Sequence, residues 1–130
     1  MTGERRRVRS GSPFEATIGF SRAVRVGNRV LVSGTGPIWA DGSFDHDPAA
    51  QARRCLEIVV AALEEAGATP ADVVRTRIYL VDAADAEAVG AVHAGFFGAA
   101  PPAATCVVVA GLLDPRWRVE IEAEALFAPR

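Results

Sequence analysis

The chain has little of what would mark it for a membrane, for export or for a metal. No apolar run approaches the roughly 20 residues of a membrane span. It has two cysteines, Cys55 and Cys106, which imply no disulfide framework. Both sit in apolar patterns, where a thiol acts as a small hydrophobe, and this usage fits a reducing cytoplasm. Neither the cysteines nor His46 and His93 have metal-ligand spacing, so no metal site is expected. An excess of one charge is missing too. Fourteen basic residues face sixteen acidic ones, a net charge of −2. That gives no electrostatic case for a nucleic-acid partner. Arg5, Arg6, Arg7 and Arg9 crowd the start, but no apolar segment follows them, so neither a secretory nor a twin-arginine signal is expected. Residues 1–12 therefore read as a mobile basic tail, with a phosphate-contacting arm as the alternative. Residues 13–130 read as a single domain, with half of all residues hydrophobic and enough for a core.

What is present is periodicity. Trp117 to Phe127 alternates strictly. Trp117, Val119, Ile121, Ala123, Ala125 and Phe127 share one face of a strand, and Arg118, Glu120, Glu122 and Glu124 share the other. The three carboxylates then stand about 7 Å apart along that face. It is either a solvated face or the lining of a cleft in which one carboxylate handles a proton. Thr105 to Ala110 is a β-branched run with the signature of a buried strand. Arg22–Val26 and Arg29–Thr35 form a hairpin across Gly27-Asn28. Ser33-Gly34-Thr35-Gly36-Pro37 ends it in small residues, either an ordinary turn or a place where a ligand comes close. Asp47-Pro48 opens a helix whose stripe runs Ala52, Cys55, Leu56, Val59, Leu63 and Ala66, with Gly67 as its stop. Val73–Val81 is a central strand, with Arg75 and Arg77 on one face and Val74, Ile78 and Leu80 on the other. Ala83–Phe97 is a second helix capped by Asp82, with Val89, Val92 and Phe96 inward and His93 on its flank.

The order is ββαβαββ, an α+β fold with two helices on one face of one sheet. The other face carries Arg75, Arg77, Arg118 and the three glutamates among Val73, Tyr79 and Val81. With no helix to cover it, such a face meets water or another subunit, and its apolar members favour a subunit. Arg75 and Arg77 can lie across from the glutamates as a structural ion network.

Several segments resemble the RidA (YjgF/L-PSP endoribonuclease) family. These are Pro102-Ala103-Ala104-Thr105-Cys106-Val107, the Val119-Glu120-Ile121-Glu122-Ala123 strand, Gly19-Phe20-Ser21-Arg22-Ala23-Val24 ahead of Gly27-Asn28, and the Ser33-Gly34 segment. Together they span about Ile18 to Leu126. The resemblance implies a homotrimer of chorismate-mutase-like subunits with a small-molecule cleft at each interface. It implies hydrolysis of enamines or imines to ketone and ammonia without metal or cofactor. Matched residue by residue, Glu120 would handle the water. Ser33, Gly34 and Cys106 would orient the imine, and Phe96 and Phe97 would line the cleft from a neighbouring subunit. Phe20 stands where a tyrosine is expected.

Ala104 stands where the family has a carboxylate-clamping arginine. Losing one charged hydrogen bond of ~1.5–3 kcal/mol makes an α-imino acid a poor ligand unless Arg22, Arg116 or Arg118 substitutes. Otherwise the site takes a neutral or apolar ligand, suited to Ala104, Phe20, Val108 and Trp39. Cys106 has no histidine placed beside it, so nucleophilic catalysis is not expected. Nor do the residues support a ribonuclease. The competing readings are an imine hydrolase, a trimer that binds a metabolite without turnover, and a trimer acting through protein contacts.

Overall fold

A computed structural model describes residues 4–127. Its strands are β1 (Arg5–Val8), β2 (Ala23–Val26), β3 (Arg29–Thr35), β4 (Val73–Leu80), β5 (Ala103–Val108) and β6 (Val119–Leu126). Its helices are α1 (Pro48–Glu65) and α2 (Ala86–Phe97). The strands form one sheet in the order β1-β2-β3-β6-β4-β5, antiparallel except for the β4–β5 pair. The crossover through α2 makes β4 and β5 parallel. The last strand, β6, therefore lies between β3 and β4 and is a spine of the sheet.

The local signals act as the residue patterns anticipate. The Asp47 carboxylate accepts the Ala50 N–H at 2.9 Å, and Pro48 follows at the first helical position. The whole stripe from Ala52 to Ala66 is buried, with Leu56 and Leu63 at 0 % exposure. Each of those leucines contributes roughly 1.5–3 kcal/mol of burial. Gly67 (φ 94°) stops the helix, and Gly27 (φ 60°) closes the β2–β3 hairpin, both in the left-handed region open to glycine. On β6, Val119, Ile121, Ala123 and Ala125 pack into the core, while Glu120, Glu122 and Glu124 face away from it.

Five expectations are corrected. The expected mobile tail is a strand over Arg5–Val8. It pairs with β2 and buries Val8, and only residues 1–3 of that tail lie outside the described residues. Three consecutive arginines hid it, because an edge strand needs no apolar alternation when one residue reaches the core. The Thr105–Ala110 run is not a buried strand: β5 is the sheet edge, and all six of its residues are exposed in the single chain. Val74 faces outward and Val73 inward. A register shift between Val73 and Arg75 inserts an extra residue opposite β6 and reverses the alternation. Arg118 leaves the glutamate face before β6 begins and forks onto Asp85 with two 2.8 Å bonds. In α2, Phe97 rather than Phe96 is the buried ring, preceded by a 3₁₀ turn at Ala83–Asp85 that Asp82 caps.

Candidate active site

Between the N-terminal segment, the end of β3 and the outer side of α1 lies a cleft of about 900 Å³. Two local features open it. The β3–β6 register shifts between Val32 and Thr35, which bulges Ser33 and Gly34 out of the ladder. Beyond Thr35 the chain turns away through Gly36 and Pro37, leaving the start of β6 without a β3 partner. Glu120 lies in that gap. Glycine at position 34 leaves the Glu120 carboxylate its place, because a Cβ there would overlap Glu120 Oε2 and push it aside. Gly36 is constrained in the same way, since a Cβ would sit 2.5 Å from the Trp117 ring.

The three carboxylates of β6 have different surroundings. Glu122 accepts from Arg77 Nη1 at 3.1 Å and from the Tyr79 hydroxyl. Glu124 pairs with Arg29. Glu120 has no hydrogen-bond or ion-pair partner among the described residues. Burial pushes its carboxyl above the ordinary glutamate range, with Arg22 partly opposing and Glu122 reinforcing that rise. A carboxylate that is partly desolvated, unpaired and open to a cleft suits proton transfer.

Arg22 is buried beneath this corner and holds it together. Its Nε lies 3.3 Å from Glu15 Oε2, and its Nη1 donates to the Gly34 carbonyl at 2.7 Å and to Thr35 Oγ1 at 3.1 Å. Glu15 sits on a single π-helical turn, Glu15–Gly19, and also accepts the Ser10 hydroxyl and the Ser10 N–H. Burial alone would raise its carboxyl, but the Ser10 bonds and Arg22 outweigh that and hold it below the usual range. This network ties the segment before β2 to the β3 bulge, and so shapes the cleft wall. Among the described residues, no cluster of three or more His, Cys, Asp or Glu could hold a metal.

The family model described as "Endoribonuclease L-PSP" matches residues 11–127. The chain belongs to this family, the YjgF/RidA group. A solved Mycobacterium tuberculosis structure from the YjgF/YER057c/UK114 family is similar, with a TM-score of 0.87 and 47 % identity. That match covers 95 % of this chain and all of that one. An uncharacterized Streptomyces coelicolor protein is 41 % identical over 96 % of this chain and 95 % of its own length. The Escherichia coli protein named 2-iminobutanoate/2-iminopropanoate deaminase is 38 % identical over 85 % of this chain and 90 % of its own.

The residues matched to the YjgF/RidA motif divide between two places. Phe20, Ser33, Gly34 and Glu120 line the cleft. Ser33 contributes less than expected: its N–H is taken by the Arg22 carbonyl at 2.9 Å and its hydroxyl donates to the Ser21 carbonyl at 2.7 Å. Ala104 and Cys106 lie on β5, at the far edge of the sheet. Register puts them on the face of Thr76 and Ile78, whereas Glu120 shares the face of Tyr79. Two strand spacings, about 10 Å, and opposite faces keep them from Glu120 within one chain. Phe96 is half-buried, but Phe97 is 2 % exposed and packs at a tilt on His93 with ring centroids 4.9 Å apart, so it does not reach this cleft within the chain. His93 itself bonds Thr76 Oγ1 at 2.8 Å, and burial lowers its basicity, consistent with a flank histidine.

The arginines considered as a substitute clamp are all engaged. Arg116 forks onto Asp114 and stacks on Phe44, Arg118 holds Asp85, and Arg22 holds Glu15 and Gly34. The sequence reading passed over Glu15 and Phe14. Nothing periodic marks either, since the π turn is too short to carry a stripe. Trp117, read there only as core, packs edge-on against Phe14 at 5.6 Å and forms part of the cleft wall.

Proposed function

We propose that this YjgF/RidA-family chain is a cofactor-independent hydrolase of imines or enamines, with Glu120 as the base that orients and deprotonates water. The observation that carries the reading is Glu120 itself, the one β6 carboxylate that is desolvated and unpaired while its neighbours are neutralised. The chain contains no lysine, all fourteen basic residues being arginine. A Schiff base between substrate and a lysine side chain is therefore impossible, and direct attack by water is the simplest route. Water adds to the imine carbon, its proton passes to Glu120 and on to nitrogen, and ammonia leaves as the carbonyl forms.

The reading includes a homotrimer in which a second copy brings β5, with Ala104 and Cys106, and the nearby Phe96 to the cleft. The wholly exposed β5 edge, including Val107 and Val108, supports it, because such an edge needs covering. It also includes a cytoplasmic location, where Cys55 and Cys106 stay free thiols, and no nucleic-acid or membrane partner. No helix among the described residues is long and apolar enough to cross a membrane.

The second reading is a trimer that binds a small metabolite without turnover. It is favoured by the commitment of the Ser33 donors inside the chain. Ammonia release from 2-iminopropanoate and from imines lacking a carboxylate separates the two readings, with Glu120→Gln as control. Release that depends on Glu120 supports the hydrolase. Thermal stabilisation by a keto acid or aldehyde with no release from any imine supports the binding protein.

A further inference from the structure

The walls of the cleft carry more information than its base. Three arginines and three glutamates line it: Arg9, Arg22 and Arg54 against Glu57, Glu65 and Glu120. A fourth carboxylate, Glu15, is buried against Arg22. The cleft therefore offers an anion no excess positive charge.

Its cations are also poorly placed to grip one. A bidentate hold on a carboxylate uses two guanidinium nitrogens. Arg22 has Nε on Glu15 and Nη1 on the Gly34 carbonyl, and Arg54 has Nε on the Ile38 carbonyl at 2.6 Å and Nη1 on Glu57. Arg9 is exposed to water, where a single pair is worth little. The β5 segment that a second copy would add, Ala103 to Val108, carries no charge.

Four aromatic rings share the same space: Phe14, Phe20, Trp39 and Trp117. Rings of this kind attract cations through their faces and bury planar apolar groups. A cleft of about 900 Å³ is also far larger than a three-carbon imine fills.

We propose that the substrate is an imine without a carboxylate that carries an aromatic or comparably bulky apolar group, taken up as its iminium cation. This rests on the hydrolase reading above and names its substrate class. Glu120 supplies the negative charge beside the iminium nitrogen, and the rings hold the apolar group. The net step is RCH=NH₂⁺ + H₂O → RCHO + NH₄⁺. The C=N bond is replaced by C=O, the water proton reaches nitrogen by way of Glu120, and nothing is oxidised or reduced. The reaction that supplies such a substrate is the two-electron oxidation of a primary amine, not of an amino acid.

The test uses the full-length protein with imines generated in place. A flavin amine oxidase with O₂ makes benzaldimine from benzylamine, and a flavin amino-acid oxidase makes 2-iminopropanoate from alanine. Ammonia release above the spontaneous rate is read for each. The expected result is acceleration of benzaldimine hydrolysis about tenfold or more greater than that of 2-iminopropanoate, the scale set by one charge-assisted hydrogen bond. Glu120→Gln abolishes this acceleration, and Phe20→Ala raises KM for benzaldimine more than it lowers kcat. A smaller or reversed preference, with Glu120→Gln still inactive, overturns the substrate class and leaves the role of Glu120 standing. No acceleration of either imine, or acceleration that survives Glu120→Gln, brings down the hydrolase reading and this proposal with it.

Discussion

Glu120 and Glu122 are two residues apart on the same face of the same strand, yet their surroundings make them different acids. At Glu122 the sheet is continuous. Arg77 and Tyr79 reach it from β4, and the carboxylate is neutralised in place. At Glu120 the sheet is interrupted on one side. β3 has bulged at Ser33-Gly34 and left, and the cross-strand neighbour Tyr79 points its hydroxyl at Glu122. Charge on one strand becomes structural or chemical according to whether the neighbouring strand is still there to pair it.

The strongest test of that contrast is the pair Glu120→Gln and Glu122→Gln. The first should lower imine hydrolysis by about 10²–10⁴, the usual range for a general base. The second should change it less than a few-fold, as read by ammonia release. Equal losses would mean that the two carboxylates are not distinct.

Next come the arginines beneath the two regions. Arg22→Met strands Glu15 in a buried site and should cost about 3–5 kcal/mol in denaturant unfolding. Arg77→Met breaks a pair whose arginine side chain is 42 % exposed. It should cost under about 1 kcal/mol. Tyr79→Phe removes the neutral partner of Glu122 and should cost about 1 kcal/mol, with activity nearly unchanged.

The smallest effect is on pH dependence. The folded chain holds the Glu120 proton more tightly than the unfolded chain does, so stability falls as pH rises through the window between the ordinary and the raised value. Glu120→Gln should therefore raise Tm at pH 7 and leave it unchanged below the ordinary glutamate range. Glu15 has the opposite sign. Its lowered carboxyl contributes stability above the ordinary range, and that contribution is lost as acid protonates it. Activity should follow Glu120, rising with pH through its raised value.

Much of the fold was legible because it is written in short periods. The two-residue alternation of β6, the stripe of α1, the Asp47 cap and the Gly27 turn each need only neighbours within a few residues to act. β1 was not legible, since Arg5, Arg6 and Arg7 stay exposed and only Val8 is buried. The β5 run looked like a core strand, because β-branched residues do not report whether a sheet continues beyond them. In the site, the face carrying Glu120 was legible, but its isolation was not. That depends on Ser33-Gly34, Arg77 and Tyr79, residues more than 40 positions away in sequence that meet it only in the sheet.

The sequence by itself determined which side chains share a face, because backbone geometry imposes that residue by residue. Only the tertiary structure decided which of those charges would be paired, which would be left half-buried and unpaired beside a cleft, and which arginines would already be engaged. Desolvation and Coulomb energy depend on distances between segments remote in the chain, and no local pattern carries those distances.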